Sequence, residues 1–235
     1  MKIKIIGIIA CFLFFTSIVH SQESLGKKEL DSVIRVCVKK IDKEETVENM
    51  RWSANMMERV TKINNCWTSN YYLCYFYLLV AMESKTSEEK DVYCNSFFKI
   101  YSIAENFAKT NQEKSELLTL KAFLKIDVLI SDPIKHGKDL SGEILQLFNE
   151  AMVLYPKNPR AIYLNAVFKS GMANFFNTKD NYCNSFLLAN KIFVKDFVEK
   201  DTYLMPLWGA EHNSSLLIKC YGSDDKNAQK EAPAK

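Results

Sequence analysis

Tyr93-Cys94-Asn95-Ser96-Phe97 recurs 89 residues later as Tyr182-Cys183-Asn184-Ser185-Phe186. Each copy follows a similar stretch at a similar distance, Tyr72-Leu73 to Met82 before the first and Tyr163-Leu164 to Met172 before the second. Self-similarity at a fixed period is the signature of a repeat architecture. If 89 residues hold two units, one unit is about 45 residues, and a related segment belongs midway. Ser115 to Ile130 sits there, with Leu117, Leu118, Leu120, Phe123, Leu124 and Val128 at helical apolar spacing.

Laid out on that period, the chain reads as helical pairs. The first is 28–43 with 47–64, and the second is 69–83 with 90–109, joined through Ser87-Glu88-Glu89. The third is 114–130 with 140–155, and Ser131-Asp132-Pro133 ends its first helix because proline disfavours helical geometry in the residue before it. The fourth is 159–173 with 181–199, and a last helix covers 206–220 from Pro206, a residue tolerated in a first turn. Seven glycines and five prolines are too few for a protein made of many short strands, which agrees with helices throughout. Tyr71, Tyr72, Leu73, Tyr75, Phe76, Leu78 and Leu79 nearly surround their helix, as an inner helix of a stack requires. Ala81, Ala104, Ala151 and Ala166 fall where helices would have to approach closely.

Phe148-Asn149-Glu150-Ala151-Met152-Val153-Leu154-Tyr155-Pro156-Lys157-Asn158-Pro159-Arg160-Ala161 resembles the junction between tetratricopeptide repeats, with an aromatic residue, alanine three on, proline five beyond it and Asn-Pro-Arg-Ala opening the next helix. Tyr101 and Ala104 repeat the first part of that spacing one unit earlier. With Pro206-Leu207-Trp208-Gly209 and Cys220, the chain looks like a group of exported tetratricopeptide-type proteins of Gram-negative bacteria. The resemblance implies an all-α, TPR-like α-solenoid of about four helical pairs with a C-terminal capping helix. It further implies protein or peptide binding, and carries over no catalytic residue. The chain departs from the pattern in its longer unit, against the usual ~34 residues, and in its fourth pair, where Asp196 follows Phe193.

Residues 1–21 read as an export signal: Lys2 and Lys4, an apolar run from Ile5 to Phe15, then Val19-His20-Ser21 as the cleavage region. The run is shorter than the ~20 residues a membrane span needs. Cys11 sits in a loose lipoprotein-like context, but the apolar stretch continues past it. Cleavage would leave residues 22–221 as the helical domain and 222–235 as a polar tail without a packed core, in the periplasm or cell envelope. Without Lys2 and Lys4 the chain carries 29 basic and 28 acidic residues, and the absence of a basic stripe argues against nucleic acid as a partner. No later segment is apolar and long enough to cross a membrane. In an oxidising compartment the six remaining cysteines could form disulfides, although at least four read as small buried hydrophobes. Cys94 and Cys183, two units apart, would lie too far from each other to bridge in a stack.

No metal, cofactor or catalytic site is expected, because no nucleophile elbow, zinc motif or phosphate loop occurs. His136 reads as a loop residue, and Glu211-His212 as neighbours on the last helix near Trp208. A thiol–imidazole pair of Cys183 and His212 is the form a weaker, hydrolase reading would take. Partner binding is expected at Phe175, Phe176, Trp208 and Tyr75, as rigid aromatics suit anchoring. Most aromatics fill core, but adjacent Phe175 and Phe176 cannot easily both face inward. Self-association of the stack is the alternative role.

Overall fold

The computed structural model describes residues 26–178, 181–199 and 204–222. Those residues form helices and no strand: α1 (Lys27–Lys43), α2 (Val47–Ile63), α3 (Trp67–Met82), α4 (Ser87–Phe107), α5 (Asn111–Ser131), α6 (Pro133–Leu154), α7 (Pro159–Phe175), α8 (Cys183–Glu199) and α9 (Ala210–Tyr221). The all-α expectation holds. The expected export signal and all but the first residue of the polar tail lie outside the described residues. Among the described residues, no helix is long and apolar enough to cross a membrane.

Side chains that satisfy the first free amides set most helix starts. Thr46 accepts from Asn49 N, Thr86 from Glu89 N, and Thr110 from Glu113 N while Glu113 returns a bond to Thr110 N. Three boundaries differ from the sequence reading. Helix α4 begins at Ser87 because Thr86 caps it, so Ser87-Glu88-Glu89 is its first turn rather than a connection. Asp132 closes α5 and also caps α6 through Lys135 N, with Pro133 in the first helical position; α6 therefore starts near 133 rather than 140. His136 is consequently helical, not in a loop. The last helix starts at Ala210 rather than 206, since Gly209 adopts a left-handed conformation (φ 98°) and Pro206 to Trp208 stay irregular.

The repeated pentapeptides also differ in placement. Tyr93 lies in the second turn of α4, whereas Tyr182 precedes α8, so the repeat is offset although the period survives. Helices α3, α5 and α7 begin at 67, 111 and 159, intervals of 44 and 48 residues.

α3/α4, α5/α6 and α7/α8 pack as hairpins, and α3, α5 and α7 stand side by side. Their N-terminal halves adjoin, as Glu116 of α5 bonds Arg160 of α7 and Tyr71 of α3. Helix α2 packs on α3, α1 on α2, and α9 on α8. Helix α3 is the centre: Tyr71, Tyr72, Leu73, Cys74, Phe76, Leu78, Val80 and Ala81 are all buried, as its continuous apolar run requires. Ala81, Ala104, Ala151 and Ala166 are buried too, where their small side chains let helices approach.

Cys183 and Cys220 form a disulfide, which with Asn213 Nδ2 donating to the Phe186 carbonyl (3.0 Å) fastens α9 to α8. Cys37, Cys66, Cys74 and Cys94 are free, so Cys94 and Cys183 do not bridge. The disulfide closes a loop of 37 residues. Cys183→Ser with Cys220→Ser should cost roughly 4 kcal/mol of unfolding free energy on chain entropy. An unchanged urea midpoint relative to the oxidised wild type would contradict this.

Candidate binding site

The irregular segment from Leu204 to Trp208 lies across the face formed by α3, α5 and α7. Its contacts are polar and complementary in donor and acceptor. The Tyr72 hydroxyl donates to the Met205 carbonyl (2.9 Å) and accepts from Leu207 N (2.9 Å). Trp208 Nε1 donates to the Tyr71 hydroxyl (2.9 Å), and that hydroxyl donates to Glu116 Oε2 (3.1 Å). Arg160 Nη1 donates to Glu116 Oε1 (3.1 Å), and Nη2 donates to the Pro206 carbonyl. At the far end, Leu204 N donates to Asp31 Oδ1 of α1 (2.9 Å).

Rings enclose this network. Trp208 stacks between Tyr75 (centroids 4.9 Å apart) and Phe123 (6.1 Å). The Arg160 guanidinium sits 5.3 Å from the Trp208 ring and 5.4 Å from Phe193. Arg160 and Glu116 are 7% and 1% exposed, so the pair is desolvated. Burial opposes the Arg160 charge, but Glu116 together with Tyr71, Tyr72 and Tyr163 more than offsets it, and the guanidinium stays above its ordinary pKa. Burial, reinforced by Glu116, pushes the Tyr71 hydroxyl well up, so it remains a neutral donor.

A second cluster lies where the α1–α2 turn approaches α9. Tyr163 packs edge-on against His212 (5.7 Å, interplanar 88°) and also meets Phe193. Tyr75 feels the charges of Tyr163 and Asp42, and Asp42 feels Glu211 and Glu45, so these side chains share one neighbourhood. Asp42 and His212 are open to solvent. Surrounding protein nonetheless pushes the Asp42 carboxyl up, helped by Glu211 and Glu45, and pushes His212 down, helped by Lys219. Gly209 packs close to this cluster: a Cβ there would lie 3.1 Å from the Tyr163 hydroxyl and 3.3 Å from Phe193. Its left-handed φ favours glycine as well.

The four residues expected to bind a partner fall in two places. Trp208 and Tyr75 stack together under the chain's own C-terminal segment, Trp208 being buried. Phe175 and Phe176 are both exposed, 74% and 64%, and contact each other edge-on (5.2 Å). Ile130 and Ile134, at the matching end of the α5–α6 hairpin, are exposed as well. A shallow groove of about 570 Å³ runs along α6 from Gly142 to Leu154 over Leu118.

Sequence reading missed Arg160, Glu116 and Tyr163. Arg160 was visible only as part of the Asn-Pro-Arg-Ala junction, and its ion pair crosses 44 residues of chain. The suggested Cys183–His212 pair does not exist, because Cys183 is bonded to Cys220. Burial raises the Cys37 and Cys94 thiols to about 11, so neither supplies thiolate at neutral pH. Among the described residues, no three His, Cys, Asp or Glu side chains are grouped to hold a metal ion.

The ion pair gives a clear expectation. Arg160→Met strands a buried carboxylate and should cost about 3–5 kcal/mol. Adding Glu116→Gln removes that charge and should recover much of the loss in the same denaturation experiment; equal losses in both variants would refute the desolvated-pair account.

No protein-family model matches the sequence, and no curated protein does. A search of solved structures finds a likeness to the HusA haemophore of Porphyromonas gingivalis, with a TM-score of 0.69 and 21% identity over 83% of this chain and 94% of that one. At that identity the likeness is one of fold, and it spans nearly the whole helical array.

Proposed function

We propose that the chain is an exported, non-catalytic binding protein of the cell envelope whose cargo is a planar, largely apolar small molecule of the haem class. In this reading residues 1–21 are removed, and residues 22–221 act as a TPR-like helical stack. The observation that carries it is the self-filled face. A peptide-binding stack would offer the α3, α5 and α7 side to a partner, but Leu204 to Trp208 already occupy it through side-chain and backbone hydrogen bonds. Beside that face, Tyr163 meets Phe193 and His212 in an aromatic cluster against α9. Pockets for small molecules combine apolar and aromatic walls with a few polar groups, and Tyr75, Tyr163 and His212 supply that mixture. The likeness to a haemophore supports haem as the class.

Spectrophotometric titration of the purified chain with ferric haem tests this. The Soret band should shift and saturate stoichiometrically, with quenching of tryptophan fluorescence. Haem that keeps its free spectrum and separates from the protein on gel filtration would overturn the proposal.

A second reading rests on Phe175 and Phe176. Two adjacent, exposed aromatic rings at a helix end form an apolar edge that a second copy or a protein partner could cover. Sedimentation should then show a concentration-dependent increase in mass that Phe175→Ser with Phe176→Ser abolishes. A monomer at every concentration would remove the self-association form of this reading.

A further inference from the structure

We infer that the end of the array formed by the α5–α6 and α7–α8 turns and the last turn of α9 docks on an anionic lipid surface, with Phe175, Phe176 and Ile134 entering the headgroup layer. This inference is independent of the haem-class reading. The fold brings the residues concerned to one level. Glu116 of α5 pairs with Arg160 of α7. Ile130 follows Glu116 by 14 residues in α5, and Phe175 follows Arg160 by 15 in α7. At ~1.5 Å per residue, both stand roughly 20 Å from the ion pair, at the same end of neighbouring helices. Ile134 lies just beyond, in the first turn of α6, and the Cys183–Cys220 disulfide brings Tyr221 at the end of α9 to the start of α8. Ile130 and Ile134 are 65% and 98% exposed, and Tyr221 is exposed as well.

The aromatic pair is held outward by its own backbone. Asn177 has a left-handed φ of 54°. Its N–H donates to the Asn174 carbonyl (3.3 Å), and Thr178 N donates to the Ala173 carbonyl (2.8 Å). These are the two bonds of a Schellman turn, and asparagine is one of the few residues besides glycine that takes the left-handed position routinely. Such a turn commonly folds an apolar residue back onto the helix from the position that Thr178 holds. Here that position is a threonine, and the apolar side chains are Phe175 and Phe176, both exposed. An ordered turn that keeps two rings in water leaves an apolar patch that packing within the chain does not use.

The charges around this edge select lipid over protein. Lys135, Lys138 and Lys219 are exposed beside it. Of the nearby carboxylates, Asp132 is engaged in capping α6 through Lys135 N, and Asp139 lies one turn further from the edge than Lys135. Glu83 and Glu88 flank the α3–α4 turn, and α5 stands between α3 and α7. A protein interface of standard size uses ~20–30 residues a side and is depleted in lysine. This edge instead offers Ile130, Ile134, Phe175, Phe176 and Tyr221 within a lysine border. Apolar side chains can enter the boundary between headgroups and acyl chains while lysine ammonium groups meet the phosphates. Tyr221 suits that boundary, with an apolar ring and a polar tip. Among the described residues no helix can cross a membrane, so the contact is a peripheral one.

The test is co-sedimentation of the purified, exported chain with vesicles of phosphatidylcholine alone and of phosphatidylcholine mixed with phosphatidylglycerol. Wild type should pellet with the anionic vesicles and far less with the neutral ones. Combining Ile134→Ser, Phe175→Ser and Phe176→Ser should lower the partition coefficient by at least about 10-fold. Combining Lys135→Gln, Lys138→Gln and Lys219→Gln should abolish the preference for anionic vesicles. Val153→Ser alters an exposed apolar residue at the opposite end of α6 and should bind as wild type does. All these side chains are exposed, so every variant should keep the wild-type circular dichroism. Wild type that stays in the supernatant with both vesicles would overturn the inference, as would an apolar-edge variant that binds like wild type. Equal wild-type binding to neutral and anionic vesicles would overturn the anionic assignment. No vesicle binding, together with a mass that grows with protein concentration and falls in the apolar-edge variant, would overturn the inference in favour of a second copy of the chain.

Discussion

The structure depends on one desolvated ion pair. Arg160 and Glu116 lie at the junction of α5 and α7, removed from water. Taking two such charges from water costs several kcal/mol each, so their attraction alone does not guarantee a net gain. The cost is held down by further hydrogen bonds on both groups, although Arg160 Nε stays buried without a partner. Glu116 uses its second oxygen for Tyr71, and Arg160 uses its second amino group for the Pro206 carbonyl. The pair therefore does more than join two helices: it demands a specific backbone carbonyl from the C-terminal segment. Removing that segment would strand the guanidinium's Nη2 and the Tyr72 hydroxyl together. A slid register would do the same, which is how a buried polar cluster specifies one arrangement among apolar alternatives of similar packing.

What the segment's seating determines next is α9. Gly209 turns the chain from Trp208 into the helix, and only glycine combines its backbone angle with the closeness of the Tyr163 hydroxyl. At the other end of α9, Cys220 is tied to Cys183. A twelve-residue helix on its own is marginal in water. Fastened at both ends, α9 presents His212 to Tyr163 at a defined distance. The disulfide and the Arg160 network thus hold the Tyr163–His212 contact in place without touching it.

Helix α3 shows how one aromatic run serves two purposes. Tyr71 and Tyr72 spend their hydroxyls on the C-terminal segment, while Tyr75, one turn on, gives its ring face to Trp208. The 3.6-residue period makes this division possible, since residues 71 and 75 share a face but meet different elements along it. Burial on every side explains why this helix has no polar stripe and why its aromatics, read alone, look interchangeable.

Helix number, order and pairing were legible in the sequence because they follow from local chemistry. Apolar spacing, threonine and asparagine caps, and the Asp132-Pro133 and Asn158-Pro159 steps act within a few residues of themselves. Even the errors were local. Asp132-Pro133 was read only as a stop, although one residue can end a helix and cap the next. Pro206 was read as a helix start, although Gly209 and the contacts of Trp208 keep residues 206–208 irregular. Phe175 and Phe176, adjacent aromatics that cannot easily both face inward, are both exposed. The cluster of Tyr163, Phe193 and His212 was not legible. Its members come from α7, α8 and α9, and nothing in the local sequence distinguishes Tyr163 from Tyr71 and Tyr72, whose hydroxyls bond the C-terminal segment and its network. Arg160 and Glu116 were equally opaque, because a charge buried by partners more than forty residues away has the same sequence signature as one on the surface. The sequence by itself determined the helices and their period. Only the tertiary structure decided which face the chain's own C-terminal segment fills and which polar groups it satisfies, because hydrogen-bond satisfaction belongs to groups distant in the chain and adjacent in space.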